Sequence, residues 1–347
     1  MKFITLLVTV ISLAFITPAT AQLRVQGAGA TFPNPLYQKW VITFSKTYPS
    51  AQFDYQSIGS GGGIKGLTDK SIDFAGSDAP MSKKERETAG APVLHLPMVA
   101  GAVVPAYNIP GFSGDLNLSG PVLADIYLGA ITNWSDPRIA SINPGTTLPN
   151  LRIVPVSRTD GSGTTFVFTN YLATQSDAFK ETVGMGKAVK WPVGQGGKGN
   201  EGVAAAVQQT AGSLGYVELN YATANKIAFA SVQNAAGKFI KASPASVSAA
   251  GTAAASDMTS EPVAALWNRS GDDTYPVAAF TYVIVFQDLA YLRDRTKAKA
   301  LVDFLTWAAT SGQESAVELD YAPLAPPVRE KVLAAIASLT FEGQPIK

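Results

Sequence analysis

The chain contains no cysteine. That absence excludes disulfides, thiolate metal sites, a cysteine nucleophile and the lipid-bearing cysteine of bacterial lipoproteins, so stability must come from the core. Histidine occurs once, as His95. A Ser-His-Asp triad would depend on it alone, no G-x-S-x-G elbow accompanies it, and a buried, satisfied histidine is the expected role. Charge is scarce too: Asp, Glu, Lys and Arg make up 15% of the residues, and 27 basic against 26 acidic side chains leave a net charge of +1. Such a balance carries no electrostatic footprint for nucleic acid or a membrane surface. Clusters of His, Cys or paired carboxylates are also missing, and neither a metal nor another cofactor is expected.

Long apolar runs are few. At the start, Lys2, the apolar stretch Phe3 to Ile16 and the small-residue triplet Ala19-Thr20-Ala21 read as a signal peptide over residues 1–21, cleaved before Gln22. The stretch is shorter than the roughly 20 residues of a membrane-spanning helix. The mature chain is therefore expected outside the cytoplasm, soluble and monomeric, with no lipid anchor. At 347 residues it exceeds the size at which single cores stop growing, about 250 to 300 residues, so two lobes are expected.

What is present alternates between strand and helix patterns, an α/β protein. Ala51 to Ile58 alternates apolar and polar residues like a half-buried strand. Leu36, Trp40 and Phe44 recur at helical spacing after Pro33 and Pro35; Val203 and Val207 mark a helix after Glu201; Leu301, Phe304, Leu305 and Ala308 mark another. Two apolar runs, Val93 to Asn108 and Tyr275 to Gln287, are too long for ordinary strands. Either each crosses from one lobe into the other, or both are core strands with a bulge at a glycine or proline. If they cross, residues 22–97 and 277–347 form the first lobe and 98–276 the second. The small, polar stretch Ser243 to Asp257 reads as a surface excursion. Gly194 to Gly202, GQGGKGNEG, lacks the G-K-[ST] ending of a phosphate loop and reads as a flexible loop.

Three junctions place glycine and a hydroxyl residue between an apparent strand and an apparent helix: GAGATFPNP with Thr31, SIGSGGGIKGL with Ser60, and SRTDGSGTTF with Ser162. A helix start carries unpaired N–H groups and about half a positive charge, glycine allows close approach, and a hydroxyl adds a rotatable donor. Such junctions suit oxyanions, although each alone is also an ordinary N-cap and turn. Arg158 adds a planar fork for oxyanion oxygens, with Asp160 placed to hold it; the alternative is a surface ion pair. Asp78, in DFAGSDAPMS, is unexpected among anion donors unless the anion still carries a proton to give it; its alternative is a helix cap. Monohydrogen phosphate has that proton and sulfate at neutral pH has none. Three helix ends and Arg158 against Asp78 nearly balance a dianion.

With these residues in view, the chain resembles the periplasmic phosphate-binding proteins of Pst-type ABC phosphate transporters, the PstS family. GAGATFP, SIGSGGGIKG, DFAGSDAPMS, LPMVAGAVVPAYN, ITNWSDP, SRTDGSGTTFVFTNYL, KGNEGVAAAVQQTAGSLGYVELNYA and YPVAAFTYVIV occur in the family's order across nearly the whole mature chain. The resemblance implies a two-lobed type II periplasmic binding protein whose lobes, joined by two crossing strands, close over one phosphate in mono- or dihydrogen form for delivery to a membrane permease. It implies ligand contacts from Thr31, the Phe32 amide, Ser60 and Asp78 in the first lobe. Arg158, Ser162, the Gly163 amide and Thr164 come from the second, with Asp160 orienting Arg158. Gly61 stands where the family often has serine, and Ala75-Gly76 where Gly-Ala is common. Binding of another tetrahedral oxyanion such as sulfate, and a secreted phosphoester hydrolase, are the alternatives.

Overall fold

The structure is a computed structural model and describes residues 23–258 and 262–346. The expected signal peptide at 1–21 lies outside the described residues. No described helix is long and apolar enough to cross a membrane.

Nine strands form one curled sheet: β1 (Leu23–Gly29), β2 (Ala51–Ser57), β3 (Phe74–Ser77), β4 (Val93–Tyr107), β5 (Val154–Arg158), β6 (Gln195–Gly197), β7 (Ser213–Glu218), β8 (Ala228–Phe229) and β9 (Ala278–Phe286). The order is β2-β1-β3-β9-β4-β7-β5-β6, with β8 also on β4. Strands β2, β1 and β3 are mutually parallel, as are β7, β5 and β6. Between these groups, β9 and β4 run antiparallel to each other and to their outer neighbours. The architecture is α/β and two-lobed, as expected.

Both long runs become strands, and β4 changes ladder partners along its length. Its residues up to Ala102 bond to β9, and from Val103 onward it bonds to β7. A bulge precedes this change: the register slips so that Tyr282 faces Pro97 while Thr281 faces Val99, beside a proline that cannot donate to the ladder. The second run is shorter as a strand than the sequence predicts, starting at Ala278, although the Val277 carbonyl still accepts from the Val103 amide at 2.9 Å.

Helices α1 (Asn34–Thr47), α2 (Ser60–Thr68), α3 (Gly163–Gln175), α4 (Gly199–Gln209), α5 (Pro244–Ala254) and α6 (Arg295–Ala309) cover the sheet. The apolar stripe Leu36, Trp40 and Phe44 of α1 is buried as its spacing requires. Phe44, Phe53, Phe74 and Phe304 of α6 interlock in the first lobe, and Tyr127, Phe168 and Tyr216 do so in the second.

The expectation of a surface excursion after Ser243 is corrected: Pro244–Ala254 is helix α5. Its alanines favour helix, Ser243 and Ser246 form a reciprocal capping box, and Val247, Ala250 and Ala254 are buried. Small residues suit a solvent-facing excursion and a packed helix alike, and here they permit close packing on β4 and β9. Ser243→Ala is expected to cost about 1 kcal/mol, read as a lowered denaturant midpoint at unchanged slope.

Candidate functional site

All three parallel strands of each lobe, β1 to β3 in one and β5 to β7 in the other, aim their carboxyl ends at the interlobe cleft, where open α/β sheets bind ligands. Thr31 and Phe32 follow β1, Ser60 is the first residue of α2, and Asp78 follows β3. Across from them Arg158 ends β5, Ser162 caps α3, and Gly163 and Thr164 are its first two residues. Thr31, Ser60, Asp78, Arg158, Ser162 and Thr164 are all buried.

The structure brings the sequence-predicted residues together through hydrogen bonds. Ser60 Oγ accepts from the Gly163 amide of the opposite lobe at 3.0 Å and from the Asp78 amide at 3.3 Å. The Gly61 amide donates to the Gly161 carbonyl at 2.8 Å. Arg158 donates from Nε and Nη2 to both oxygens of Asp160, at 2.8 and 2.5 Å, and from Nη1 to Thr164 Oγ1 at 3.3 Å, which leaves two guanidinium N–H groups uncommitted. The amides of Phe32, Ser60 and Thr164 donate to no group among the described residues.

This geometry decides between the paired readings of each element. Of the three junction hydroxyls only Ser162 caps a helix, accepting from the Thr165 amide at 2.9 Å; α1 and α2 have no side-chain cap. Arg158 and Asp160 are no surface pair, since their side chains are 1% and 12% exposed. Asp78 caps nothing: the following helix, Lys83–Ala89, is capped by Ser82, and neither Asp78 oxygen makes a hydrogen bond of normal geometry. His95 is buried, its Nε2 accepting from the Met81 amide at 3.0 Å.

The Gly163 amide donates to Ser60 Oγ, and the residue's lack of a side chain is what lets α3 approach. A Cβ there would fall 2.5 Å from both Ser60 Oγ and Asp78 Oδ2. Gly59 has the same character, with φ at +85° and room for a Cβ only 2.3 Å from Asp160 Oδ2.

Electrostatically, burial drives the Asp78 carboxyl up to about 7, with the Thr281 hydroxyl and Arg158 pulling the other way. Burial also pushes Asp160 upward, but the hydrogen bonds and charge of Arg158 and the Gly199 amide outweigh it and hold its carboxyl below the ordinary range. The near-balance of charges expected from sequence omitted Asp160. Because Asp160 neutralises Arg158, directed donors, not net charge, supply the attraction for an anion.

Sequence reasoning missed several residues. GQGGKGNEG is no flexible loop: Gln195–Gly197 is strand β6, paired with β5, and α4 starts at Gly199, whose amide donates to Asp160 Oδ1 at 3.0 Å. Asn200, fully buried, bonds to both Thr31 and Thr164. Tyr216 hydroxyl accepts from the Arg158 amide at 3.0 Å. Asn200 does follow the pattern of the other junctions, a glycine and a polar side chain opening a helix after a strand, with an amide in place of the hydroxyl.

Comparison with known proteins gives the family. A family model for the PBP superfamily domain matches residues 17–311. Phosphate-binding protein PstS of Pasteurella multocida is 46% identical over 311 residues, covering 89% of each chain. The chain belongs to the PstS family. Phosphate-binding protein PstS of Xylella fastidiosa is 42% identical over 320 residues, 92% of this chain and 86% of its own. Among solved structures, a high-affinity periplasmic phosphate-binding protein, PfluDING, bound with phosphate, shares the fold at a TM-score of 0.72 and 24% identity, covering 90% of this chain and 93% of its own. A Cβ on Gly61 would lie 3.3 Å from Gly161 Cα, so glycine eases the backbone contact across the cleft.

Proposed function

We propose that this chain binds inorganic phosphate, as the mono- or dihydrogen ion, outside the cytoplasm and delivers it to the membrane permease of an ABC-type importer. In this reading it acts as a monomeric carrier and catalyses no reaction. Residues 1–21 direct export, no lipid anchor is attached, and the mature protein works in the periplasm. The lobes divide as 22–97 with 277–347, and 98–276. Phosphate is held by Thr31, the Phe32 amide, Ser60, Asp78, Arg158, Ser162, the Gly163 amide and Thr164. Gly163 lets the lobes meet and orients the Ser60 hydroxyl, and Asp160 orients Arg158.

The observation that carries this reading is the unpartnered, buried Asp78 carboxyl set among donors. A ligand that accepts hydrogen bonds on most of its oxygens and donates one from the last pairs with the free donors and with an ionised Asp78 alike; sulfate brings no proton, so it pairs with Asp78 only where the carboxyl keeps its own. A hydrolase finds no support, because the one histidine is engaged by the Met81 amide inside the first lobe. Calorimetry of ligand-stripped protein tests the reading: phosphate should give saturable heat, sulfate much weaker binding, and a phosphomonoester no turnover. Absence of phosphate binding would overturn it.

Asp78→Asn is expected to reduce phosphate affinity by a smaller factor than it reduces the preference over sulfate, measured by the same titrations. Stability supplies a second sign. A carboxyl whose folded value lies near 7 against an ordinary 3.8 binds more protons folded than unfolded between those values, so ligand-free stability falls as pH rises from about 4 to 7. Asp78→Asn should remove that fall, leaving the ligand-free variant a few kcal/mol more stable than the parent above neutral pH. A steeper fall in the variant would contradict the burial of this group.

A further inference from the structure

Two of the cleft hydroxyls share a partner that restricts their chemistry. Asn200, the second residue of α4, has an amide whose orientation is fixed, because its Oδ1 accepts from the Glu218 amide at 2.9 Å and a flipped NH2 would oppose that N–H. Its two Nδ2 protons are thereby directed to two acceptors, Thr31 Oγ1 at 2.7 Å and Thr164 Oγ1 at 3.2 Å. Thr31 Oγ1 also accepts from the Asn200 backbone amide at 3.1 Å, and Thr164 Oγ1 accepts from Arg158 Nη1 at 3.3 Å. A hydroxyl has two acceptor positions and one proton. Both threonines have filled their acceptor positions, so each retains only its proton for anything else.

We infer that Asn200 is a positioning residue for proton discrimination: it makes Thr31 and Thr164 obligate donors, so neither can receive a hydrogen bond from a bound ion. This rests on the phosphate reading and deepens it. Ser60 is in the same condition through the Gly163 and Asp78 amides. Ser162, which accepts only from the Thr165 amide, keeps one acceptor position. The second proton of dihydrogen phosphate is therefore unwelcome at Thr31, Ser60 and Thr164, and the shell prefers the monohydrogen dianion. Other titratable or charged groups around this cluster are Arg158 and Asp160 beside β5, Glu218 at the end of β7, Asp78 after β3, Glu201 on α4 itself and Tyr221, whose hydroxyl donates to the Thr31 carbonyl at 2.6 Å. They are common to parent and variants, and their own proton exchange cancels to first order in a difference.

The test is calorimetry with inorganic phosphate at mildly acidic pH, in two buffers of different ionisation enthalpy, which counts protons released on binding. Asn200→Ala should bind about tenfold more weakly and release fewer protons than the parent, because Thr31 and Thr164 each regain an acceptor position. Thr164→Val should also weaken binding but release as many protons as the parent, since a pure donor takes no part in the count. Equal proton release by Asn200→Ala and the parent, or extra release by Thr164→Val, overturns the inference. If Asn200→Ala does not fold, Thr164→Val decides alone. No phosphate heat from the parent would instead remove the functional reading on which the inference stands.

Discussion

Gly163→Ala is expected to weaken phosphate binding by about tenfold to a hundredfold while leaving the protein folded. The new methyl would lie 2.5 Å from Ser60 Oγ and Asp78 Oδ2 and 2.7 Å from Asp78 Cβ, all across the cleft. None of these is the loose end of a surface side chain; Ser60 and Asp78 are buried. Overpacking of this kind costs about 1–3 kcal/mol. It falls on the closed arrangement of the lobes and breaks the Gly163 to Ser60 hydrogen bond. The helix itself should not suffer, because Gly163 opens α3 with no left-handed φ, and alanine is the better helix former. Calorimetry and thermal unfolding on one sample separate the two effects. An unchanged dissociation constant would show that the Ser60 to Gly163 contact does not belong to the ligand-binding arrangement.

Arg158→Ala should have the largest effect, roughly two to three orders of magnitude in affinity. Beyond the lost donors, the substitution strands the Asp160 carboxylate, whose remaining bond to a neighbouring segment is the Gly199 amide at 3.0 Å. Breaking a buried pair by removing one member costs about 3–5 kcal/mol because the other charge stays behind. Here that charge is negative, beside a cleft meant for an anion. Adding Asp160→Asn to Arg158→Ala should therefore recover part of the lost affinity, although both changes are harmful singly. Titration of both single variants and the double variant measures the coupling. If the double variant binds no better than Arg158→Ala, the stranded-charge account is wrong.

Much of this site is legible in the sequence because its chemistry is local. Thr31, Ser60, Ser162 and Arg158 sit where a strand yields to a helix start, and glycines mark each place. Asp78 stands out because its chemistry is wrong for its company. What escapes is what other parts of the chain decide. Thr31 and Asn200 are 169 positions apart, and nothing near Asn200 announces that its amide will meet two hydroxyls. The same holds for the Gly163 amide, whose partner is fixed by the approach of the other lobe, and for Asp160, read as a support for Arg158 without its charge being counted. Helix α5 is illegible for a different reason: Ser and Ala residues describe a flexible surface and a tightly packed helix equally well until the neighbouring sheet is known.

Strand β4 has a thermodynamic implication. Its early residues find their ladder partners in β9 and its late ones in β7, so melting either lobe strips hydrogen bonds from a backbone that the other lobe still holds. A fragment carrying one lobe would expose an unpaired strand edge made of buried apolar residues, a surface prone to pairing with other chains. Heat should therefore undo both lobes in a single cooperative step.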